Sequence, residues 1–230
     1  MIRKDIDPIG LAQAYQTSDP FPHAIIDNFL DEGLANRIAD DLEFQDVTGW
    51  LSDPHSEQIN KWSMPILSNL TQPVAEALHE FNSETTLKFF ETLTGINDLK
   101  ADQAYMGGGV HVSAPGGRLG IHADFNLHPE TGLHRRLNAL LFLNRNWDST
   151  WNGQLQLWDK NLTQCVKSVD PIFNRLVVFN VTDDSFHGVP DIINCPPDRR
   201  RLSLALYYYT VDRPDHEKGP FHWASWKIPG

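Results

Sequence analysis

Apolar positions recur at helical spacing through the first hundred residues of the chain. Leu34, Ile38 and Leu42 lie four residues apart, and Asp31 before them is a typical helix N-cap. Similar periodicity and capping predict four helices here, beginning near residue 8 and near residue 32 and spanning about 71–81 and 84–94. The run at 23–30, which is mostly apolar, predicts one short strand between the first two helices.

After residue 100 the pattern changes to short runs of branched and aromatic residues separated by turn residues. The predicted strands are Gly109–Val112, Leu137–Asn144, Gln154–Trp158, Arg175–Asn180 and Arg201–Thr210. The predicted turns are Pro115-Gly116-Gly117, His128–Gly132, Asn152-Gly153 and Pro196-Pro197. This spacing is typical of an all-β sandwich or barrel. The whole chain therefore predicts an α+β, mainly β fold, in which a helical layer packs on a double-stranded β-helix, or jelly roll.

The length of 230 residues fits one domain. We expect residues 1–100 to form a helical support region, residues 101–212 the jelly-roll core and residues 213–230 a C-terminal extension. The polar stretch at 49–62, with Trp50 and Trp62 near its ends, exceeds an ordinary connection. It is predicted to be a lid over a binding site, or otherwise a surface loop.

Charge and composition exclude several classes of partner. The net charge of −11 argues against nucleic acid, although Arg135-Arg136 and Arg199-Arg200-Arg201 are clusters that either bind anions or lie in solvent. No apolar run is long enough to span a membrane, and none resembles a signal peptide. Two cysteines make neither a disulfide framework nor a thiolate metal site. We therefore expect a cytoplasmic protein.

The candidate metal ligands all lie within the predicted β region. In a strand, His122 and Asp124 would point to the same face, and His187 follows a strongly apolar run. Each of these alone is also typical of a structural residue. Together, two histidines and one carboxylate form a facial triad that leaves positions open on Fe(II). The set favours iron without excluding zinc, which more often takes four ligands, or three and a water.

Arg201 begins a predicted strand and shares one face of it with Ser203. A guanidinium fork with a hydroxyl two residues away suits a buried carboxylate. The alternative is an arginine at an edge strand, held in a surface ion pair.

Order and spacing give these motifs their specificity. The region from about 103 to 210 resembles the prolyl 4-hydroxylase-like branch of the 2-oxoglutarate/Fe(II) oxygenase superfamily, and residues 22–30 resemble its first strand. The matching motifs are His122-Ala123-Asp124, Leu141–Asn144, Asn152–Leu157, Pro171–Phe179, His187 and Arg201. The chain departs from the pattern at Asn152, which replaces a glycine. A tyrosine usual before His-x-Asp has no clear counterpart, the candidates being Tyr105, His111 and Ser113.

The resemblance implies a dioxygenase that hydroxylates an unactivated C–H bond. It implies His122, Asp124 and His187 as Fe(II) ligands and catalytic residues, with Arg201, Ser203 and His111 binding 2-oxoglutarate. O2 would be the second co-substrate, with ascorbate as an optional stimulant. 2-Oxoglutarate would be converted to succinate and CO2.

The residues leave the substrate open. A prolyl residue of a peptide or protein, a free amino acid and a small natural product are all compatible with the motifs. Four tryptophans are candidate wall residues of a substrate groove or, alternatively, packing residues: Trp50, Trp62, Trp147 and Trp151. Two other classes remain as alternatives, a non-catalytic jelly-roll metal-binding protein and a zinc hydrolase on a β scaffold. The oligomeric state is not indicated by any motif.

Overall fold

The computed structural model describes residues 1–43, 45–52, 56–64 and 70–229. Its α-helices are α1 (Pro8–Gln16), α2 (Glu32–Glu43), α3 (Gln72–Phe81) and α4 (Glu84–Thr94). Local sequence explains their ends. The Asp7 side chain caps α1, the Ser83 side chain caps α4, and Gly95 ends α4 in a left-handed conformation with φ of 75°. All four predicted helices are therefore confirmed.

Within the described residues, eleven strands form one antiparallel sheet. They are β1 (His23–Ile26), β2 (Gln58–Met64), β3 (Lys100–Ala101), β4 (Gly109–Ala123), β5 (His134–Phe142), β6 (Leu155–Trp158), β7 (Cys165–Val169), β8 (Arg175–Asn180), β9 (His187–Val189), β10 (Arg201–Thr210) and β11 (Ser225–Trp226). The predicted ranges of β8 and β10 are confirmed to the residue. The sequence pattern did not predict β2, β3, β7, β9 or β11.

The strand order along the sheet is β1-β8-β5-β10-β4-β9-β6-β7, with β2 and β11 also paired to β4 and β3 paired to β10. This order curls the sheet into the expected jelly roll. The long strand β4 belongs to both halves of the curled sheet. It pairs with β10 near its start and with β9 near its end. Residues on the concave faces of β4, β5, β9 and β10 consequently surround one interior space.

The described residues contain three clusters of buried apolar side chains. The largest lies between the helices and the convex face of the sheet, and includes Phe29, Phe90 and Tyr208. The second joins β5, β6 and β8, and the third is a small cluster around Ile121. Helical packing on one face therefore leaves the opposite face of β10 free to carry polar side chains.

The predicted loop at 49–62 is wrong in its second half, because Gln58–Met64 forms strand β2 along β4. Only Met64 of that strand is buried, so its sequence lacks the alternation by which strands are recognised. Residues 53–55 of the predicted lid lie outside the described residues. The mobility of the remaining loop stays a prediction.

The predicted turn at Pro115-Gly116-Gly117 is also wrong, because these residues lie within β4. They form an irregularity at which the register with β2 shifts. Gly116 has φ of 80°, a conformation that glycine tolerates best, and the Asn60 side chain donates a hydrogen bond of 3.1 Å to the Pro115 carbonyl. The turn residues were recognised correctly, but they bend a strand instead of ending it.

No helix in the described ranges has both the length and the apolar character needed to cross a bilayer.

Candidate active site

The three candidate metal ligands meet inside the curled sheet. His122 lies at the end of β4, Asp124 follows directly, and His187 opens β9 opposite His122. One ligand atom from each lies within 4.8 Å of the other two, and all three residues are buried. The Asp124 carboxylate oxygens lie 3.6 Å from Nε2 of His122 and 3.4 Å from Nε2 of His187. The structure thus brings together the residues that the sequence placed far apart.

Backbone carbonyls orient both imidazoles. Nδ1 of His122 lies 2.9 Å from the Gly120 carbonyl, and Nδ1 of His187 lies 2.9 Å from the Ser185 carbonyl. A carbonyl can only accept, so each ring carries its proton on Nδ1 and turns the Nε2 lone pair toward the cluster. Burial lowers the pKa of His187 to about 4, which keeps that ring neutral. Neutral imidazoles aimed in this way are suited to bind a metal ion.

Asp124 is held by two side chains of β5. Its Oδ2 accepts a hydrogen bond of 2.6 Å from Asn138 and lies 3.0 Å from a guanidinium nitrogen of Arg135. The Arg135 guanidinium also donates to Asn138 and lies over the rings of Tyr207 and Phe125, 3.5 and 4.4 Å from their centroids. Burial opposes ionisation of Asp124, but Arg135 and the two histidines outweigh it and hold the pKa well below its usual value.

Arg135 and Asn138 contact the candidate ligand Asp124, and sequence analysis missed both of them. Arg135 is 1% exposed, so the alternative of a solvated arginine cluster is wrong for this position. Arg136 is also buried and pairs with Glu217. One indication was present in the sequence, since Asn138 is the only polar residue within the apolar run at 137–143. A polar residue isolated in a core strand needs a polar partner.

We expect Asn138→Ala to weaken Fe(II) binding by about tenfold to a hundredfold, the usual cost of removing a partner of a metal ligand. The carboxylate would lose its shortest hydrogen bond and would no longer be fixed relative to the histidines. Anaerobic titration with Fe(II) measures the effect. Asn161→Ala, at an exposed turn, is the control. Equal affinities in both variants would contradict a role for Asn138.

The triad opens into a cavity of about 730 Å³. Its walls come from the sheet, from the segment before β4 and from the C-terminal segment. The lining residues are Gln58, Lys61, Met106, Gly107, His111, Leu119, His122, Asp124, Phe125, Arg135, Asn138, Leu140, Leu155, His187, Val189, Arg201, Ser203, Tyr207, Trp223, Ala224 and Trp226. All six predicted site residues are among them.

Arg201 lies in the cavity wall as a buried cation. Its Nε donates a hydrogen bond of 2.7 Å to the Gly153 carbonyl, and its guanidinium lies 4.8 Å from the centroid of the Phe142 ring. Burial lowers its pKa to about 10, so it remains charged at neutral pH. No acidic side chain of the described residues forms an ion pair with it, although burying an uncompensated charge is costly. A bound anion would provide the missing partner.

Arg199 and Arg200 lie outside the cavity and are more exposed than Arg201. Arg199 pairs with Glu43 at 3.0 Å, and Arg200 donates to the Gln45 carbonyl at 2.7 Å. Of the three consecutive arginines, only Arg201 faces the triad's cavity.

His111 and Ser203 occupy directly opposed positions on β4 and β10. The His111 ring lies 3.0 Å from the Gly107 carbonyl through Nε2. Burial, followed by the charge of Lys61, lowers the pKa of His111 well below its usual value. A neutral imidazole and a hydroxyl are therefore available near Arg201. They can supply hydrogen bonds but no charge.

Of the other residues considered in place of the missing tyrosine, Tyr105 points away from the cavity. Its hydroxyl donates to the Leu78 carbonyl on the helical side of the sheet. Ser113 lies on β4, where the strand register places it opposite Arg201 of β10 and opposite Lys61 of β2.

The cavity's tryptophans are not those considered as groove residues from the sequence. None of Trp50, Trp62, Trp147 and Trp151 lines it, and Trp147 packs edge-on against Trp151 at 5.4 Å. Trp223 and Trp226 of the C-terminal extension line it instead. Strand β11 pairs with the end of β4, which places the Trp226 ring 4.9 Å from the His122 ring. The C-terminal extension therefore forms part of the site.

Comparison with known proteins agrees with this geometry. The sequence profile of the 2OG-Fe(II) oxygenase superfamily matches residues 108–209. The mouse prolyl 3-hydroxylase OGFOD1 is 26% identical over 200 residues, which cover 83% of this chain and 33% of that protein. The chain therefore spans about a third of the length of this relative.

Two solved structures share the fold. A Trichoplax adhaerens prolyl hydroxylase, in complex with a hypoxia-inducible factor peptide fragment, aligns with a TM-score of 0.63 at 20% identity, covering 87% of this chain and 88% of that one. HygX from Streptomyces hygroscopicus, with nickel and 2-oxoglutarate bound, aligns with a TM-score of 0.60 at 12% identity, covering 95% and 96%. The motifs, the profile match and the fold thus agree in their similarity to the 2-oxoglutarate/Fe(II) oxygenase superfamily.

Proposed function

We propose that this protein is an Fe(II)- and 2-oxoglutarate-dependent dioxygenase that hydroxylates a prolyl residue of a peptide or protein. The observation that supports it most is the convergence of a buried His–Asp–His cluster and the buried Arg201 cation on one cavity. Similarity to the superfamily implies Fe(II), 2-oxoglutarate and O2. The donor set fits Fe(II), because two neutral imidazole nitrogens and one carboxylate leave coordination positions open.

His122, Asp124 and His187 would hold the metal ion. With its co-substrates bound, Fe(II) supplies the oxidation of a C–H bond to C–OH, coupled to conversion of 2-oxoglutarate and O2 to succinate and CO2. Arg201 would bind the distal carboxylate of 2-oxoglutarate, and Ser203 and His111 would donate hydrogen bonds.

The other residues of the cavity would position the reactants and exclude water. Leu140, Leu155 and Val189 provide apolar wall, while Arg135 and Asn138 hold the Asp124 carboxylate in place. Both histidines keep their Nδ1 protons on backbone carbonyls, so they act as ligands and do not transfer protons. The protein's part in this mechanism is orientation of the reactants and exclusion of solvent.

A prolyl substrate is supported by the names of the mouse and Trichoplax relatives, which are prolyl hydroxylases. The cavity also has an exposed aromatic side chain at its rim, Trp223, which is 61% exposed. Exposed aromatic rings at the mouth of a site are suited to a peptide that extends beyond the cavity.

A second candidate is hydroxylation of a free amino acid or a small natural product. The pairing of β11 with β4 favours it, because Trp226 then covers one side of His122 and narrows the approach to the triad. The fold shared with HygX is compatible with either substrate class.

A substrate panel tests the proposal. Proline-containing peptides, free amino acids and small natural products would each be incubated with Fe(II), 2-oxoglutarate and O2. We expect O2-dependent succinate and a product heavier by one oxygen atom with one class, and neither with His187→Ala. If metal and 2-oxoglutarate bind but no panel member gives O2-dependent succinate, the non-catalytic metal-binding alternative is favoured.

We further propose that residues 1–230 act as one domain in the cytoplasm, without a nucleic-acid partner. The participation of β1 and β2 in the same sheet as β4–β10 supports one domain, and the two free cysteines, Cys165 and Cys195, are compatible with a reducing compartment.

A further inference from the structure

Two segments that are far apart in the chain complete one edge of β4. Strand β2 pairs along this edge as far as Gln58. Residues 219–227, here named the C-terminal strap, continue the row through β11, which sets Trp226 opposite the candidate ligand His122. At His122 the other edge of β4 is occupied by β9. The C-terminal strap therefore closes the side of His122 that faces away from β9.

The backbone pairing of the C-terminal strap is short. Strand β11 has two residues, whereas β2 on the same edge has seven. One further backbone hydrogen bond, of 2.7 Å, joins the Lys227 amide to the Ile121 carbonyl. A strand of two residues is shorter than the usual strands of globular proteins. Side-chain contacts must therefore contribute to holding the strap against β4.

Asn126 provides the first of these contacts. Its Nδ2 donates a hydrogen bond of 2.9 Å to the Pro220 carbonyl, and its Oδ1 accepts one of 3.2 Å from the His222 amide. A single side-chain amide thus bonds to the backbone of two strap residues, as a neighbouring strand would. Asn126 is buried and lies two residues after the candidate ligand Asp124. The strap is therefore tied to the segment that carries a metal ligand.

The His222 side chain provides the second contact. Its Nε2 lies 3.0 Å from a carboxylate oxygen of Asp183, and its Nδ1 lies 2.8 Å from the Trp223 carbonyl. Both oxygens accept, so the ring donates from both nitrogens and carries the charge that pairs with Asp183. Asp183 lies in the turn between β8 and β9. This ion pair therefore joins the strap to the segment that leads to His187.

These contacts hold two indole rings over the cavity. Trp223 and Trp226 both line it. The Trp226 ring lies 4.9 Å from the His122 ring, and the Trp223 ring packs edge-on against Phe125 at 6.3 Å. Displacement of the strap would remove both indoles from the wall together. It would also uncover the side of the cluster next to His122.

We propose that Asn126 and His222 are positioning residues that hold the C-terminal strap closed over the metal site, so that the strap controls how fast the site is reached. The inference rests on the metal site of the proposed function. A segment that covers a site without favouring its empty or its occupied form changes the rates of binding and release equally. It leaves the affinity unchanged.

Exchange of Co(II) tests this inference without turnover. Co(II) accepts the same donors as Fe(II), and its visible absorption follows its binding to the metal-free protein and its loss to excess EDTA. We expect Asn126→Leu and His222→Gln to raise both rates by about fivefold to fiftyfold and to leave the affinity within about threefold, because each variant loses hydrogen bonds of the closed strap. Amide hydrogen exchange of residues 225–227 should accelerate by a similar factor.

The comparison variants separate positioning from general damage. Asn126→Gln keeps the side-chain amide and should exchange Co(II) at a rate closer to that of the wild type. Asn161→Leu and His216→Gln are the matched controls and should behave as wild type, because both side chains are exposed and lie outside the strap. Thermal unfolding of each variant identifies a folding defect. His222→Gln changes the strap itself, so it remains informative if Asn126→Leu does not fold.

Several results would overturn the inference. The strap does not control access if Asn126→Leu and His222→Gln take up and lose Co(II) at the rates of the controls. Asn126 supports the ligand Asp124 instead if Asn126→Leu weakens the affinity and accelerates only the loss. In both cases the proposed function stands, because the wild type binds Co(II). If the wild-type protein does not bind Co(II), the inference and the proposed metal site both fail.

Discussion

Replacing either His122 or His187 by alanine should abolish stoichiometric Fe(II) binding. Each change removes one of the three donors that converge within 4.8 Å. Removing a residue that only holds a metal ligand in place already lowers the metal affinity by about tenfold to a hundredfold. Removing a ligand itself should therefore lower the affinity by at least about a hundredfold. Anaerobic titration with Fe(II), followed by calorimetry, should show one site per chain in the wild type and none at micromolar iron in either variant.

His216→Ala is the control for this experiment, because the His216 side chain is 82% exposed and lies away from the triad. It should leave the stoichiometry and affinity unchanged. Full-affinity binding in both His122→Ala and His187→Ala would contradict the assignment of the cluster as a metal centre. Loss of binding in all three variants would instead indicate that the titration reports histidines in general.

The features that sequence analysis predicted well are those fixed by local interactions. Helix α4 is bounded by the Ser83 cap and by Gly95, both of which act within one turn of the helix. Strands β8 and β10 are rich in apolar and aromatic residues, because most of their residues are buried. Their ends could therefore be read directly from composition.

The metal cluster was accessible to sequence analysis for a related reason. His122 and Asp124 are two positions apart, so the strand period alone puts them on one face. His187 had to be found from the motif that surrounds it, and the pairing of β9 with β4 then brings it opposite His122. The order of the motifs along the chain was sufficient to identify the three ligands, because His122 and Asp124 lie at the end of one strand and His187 at the start of another.

The sequence indicated that Asn138 needs a polar partner, but it could not indicate that this partner is Asp124, because the contact depends on neighbouring strands. Arg135 and Asn138 reach Asp124 from β5, whose position relative to β4 is set by the tertiary order β5-β10-β4. The local sequence around Arg135 does not distinguish an arginine in solvent from one that is 1% exposed and packed against an aromatic ring.

The edge strands were missed for a different physical reason. Strand β2 has one buried residue, and β11 has only two residues, so neither shows apolar alternation. Both nevertheless pair with β4 and deliver Lys61 and Trp226 to the cavity. Long-range backbone pairing, which the sequence does not display, thus determines which side chains a substrate would meet.

Arg201→Met should weaken 2-oxoglutarate binding by about tenfold to several hundredfold, which corresponds to a lost charge-assisted interaction of roughly 1.5–3 kcal/mol or more. Methionine keeps much of the buried stem and removes the charge. Arg201→Ala should give a loss at least as large, with the further cost of a space beside Phe142. Calorimetric titration of the metal-loaded, anaerobic protein with 2-oxoglutarate measures both.

The physical reason lies in the surroundings of Arg201. The side chain is buried, its pKa is lowered to about 10 by burial, and within the described residues it has a carbonyl partner but no anionic one. A guanidinium in such a position has already lost much of its hydration, so a carboxylate that reaches it gains more than it would at the surface. Fe(II) affinity should change little, because the triad is untouched.

Arg199→Ala provides the matched comparison, two residues away in sequence. Its side chain is 36% exposed and is already paired with Glu43, so its loss should change 2-oxoglutarate affinity by no more than about twofold. Normal 2-oxoglutarate binding by Arg201→Met, together with weakened binding by Arg199→Ala, would show that the anion binds outside the triad's cavity. If neither variant changes the affinity for 2-oxoglutarate, Arg201 does not bind its carboxylate. The proposal that 2-oxoglutarate is the co-substrate would then have to be abandoned.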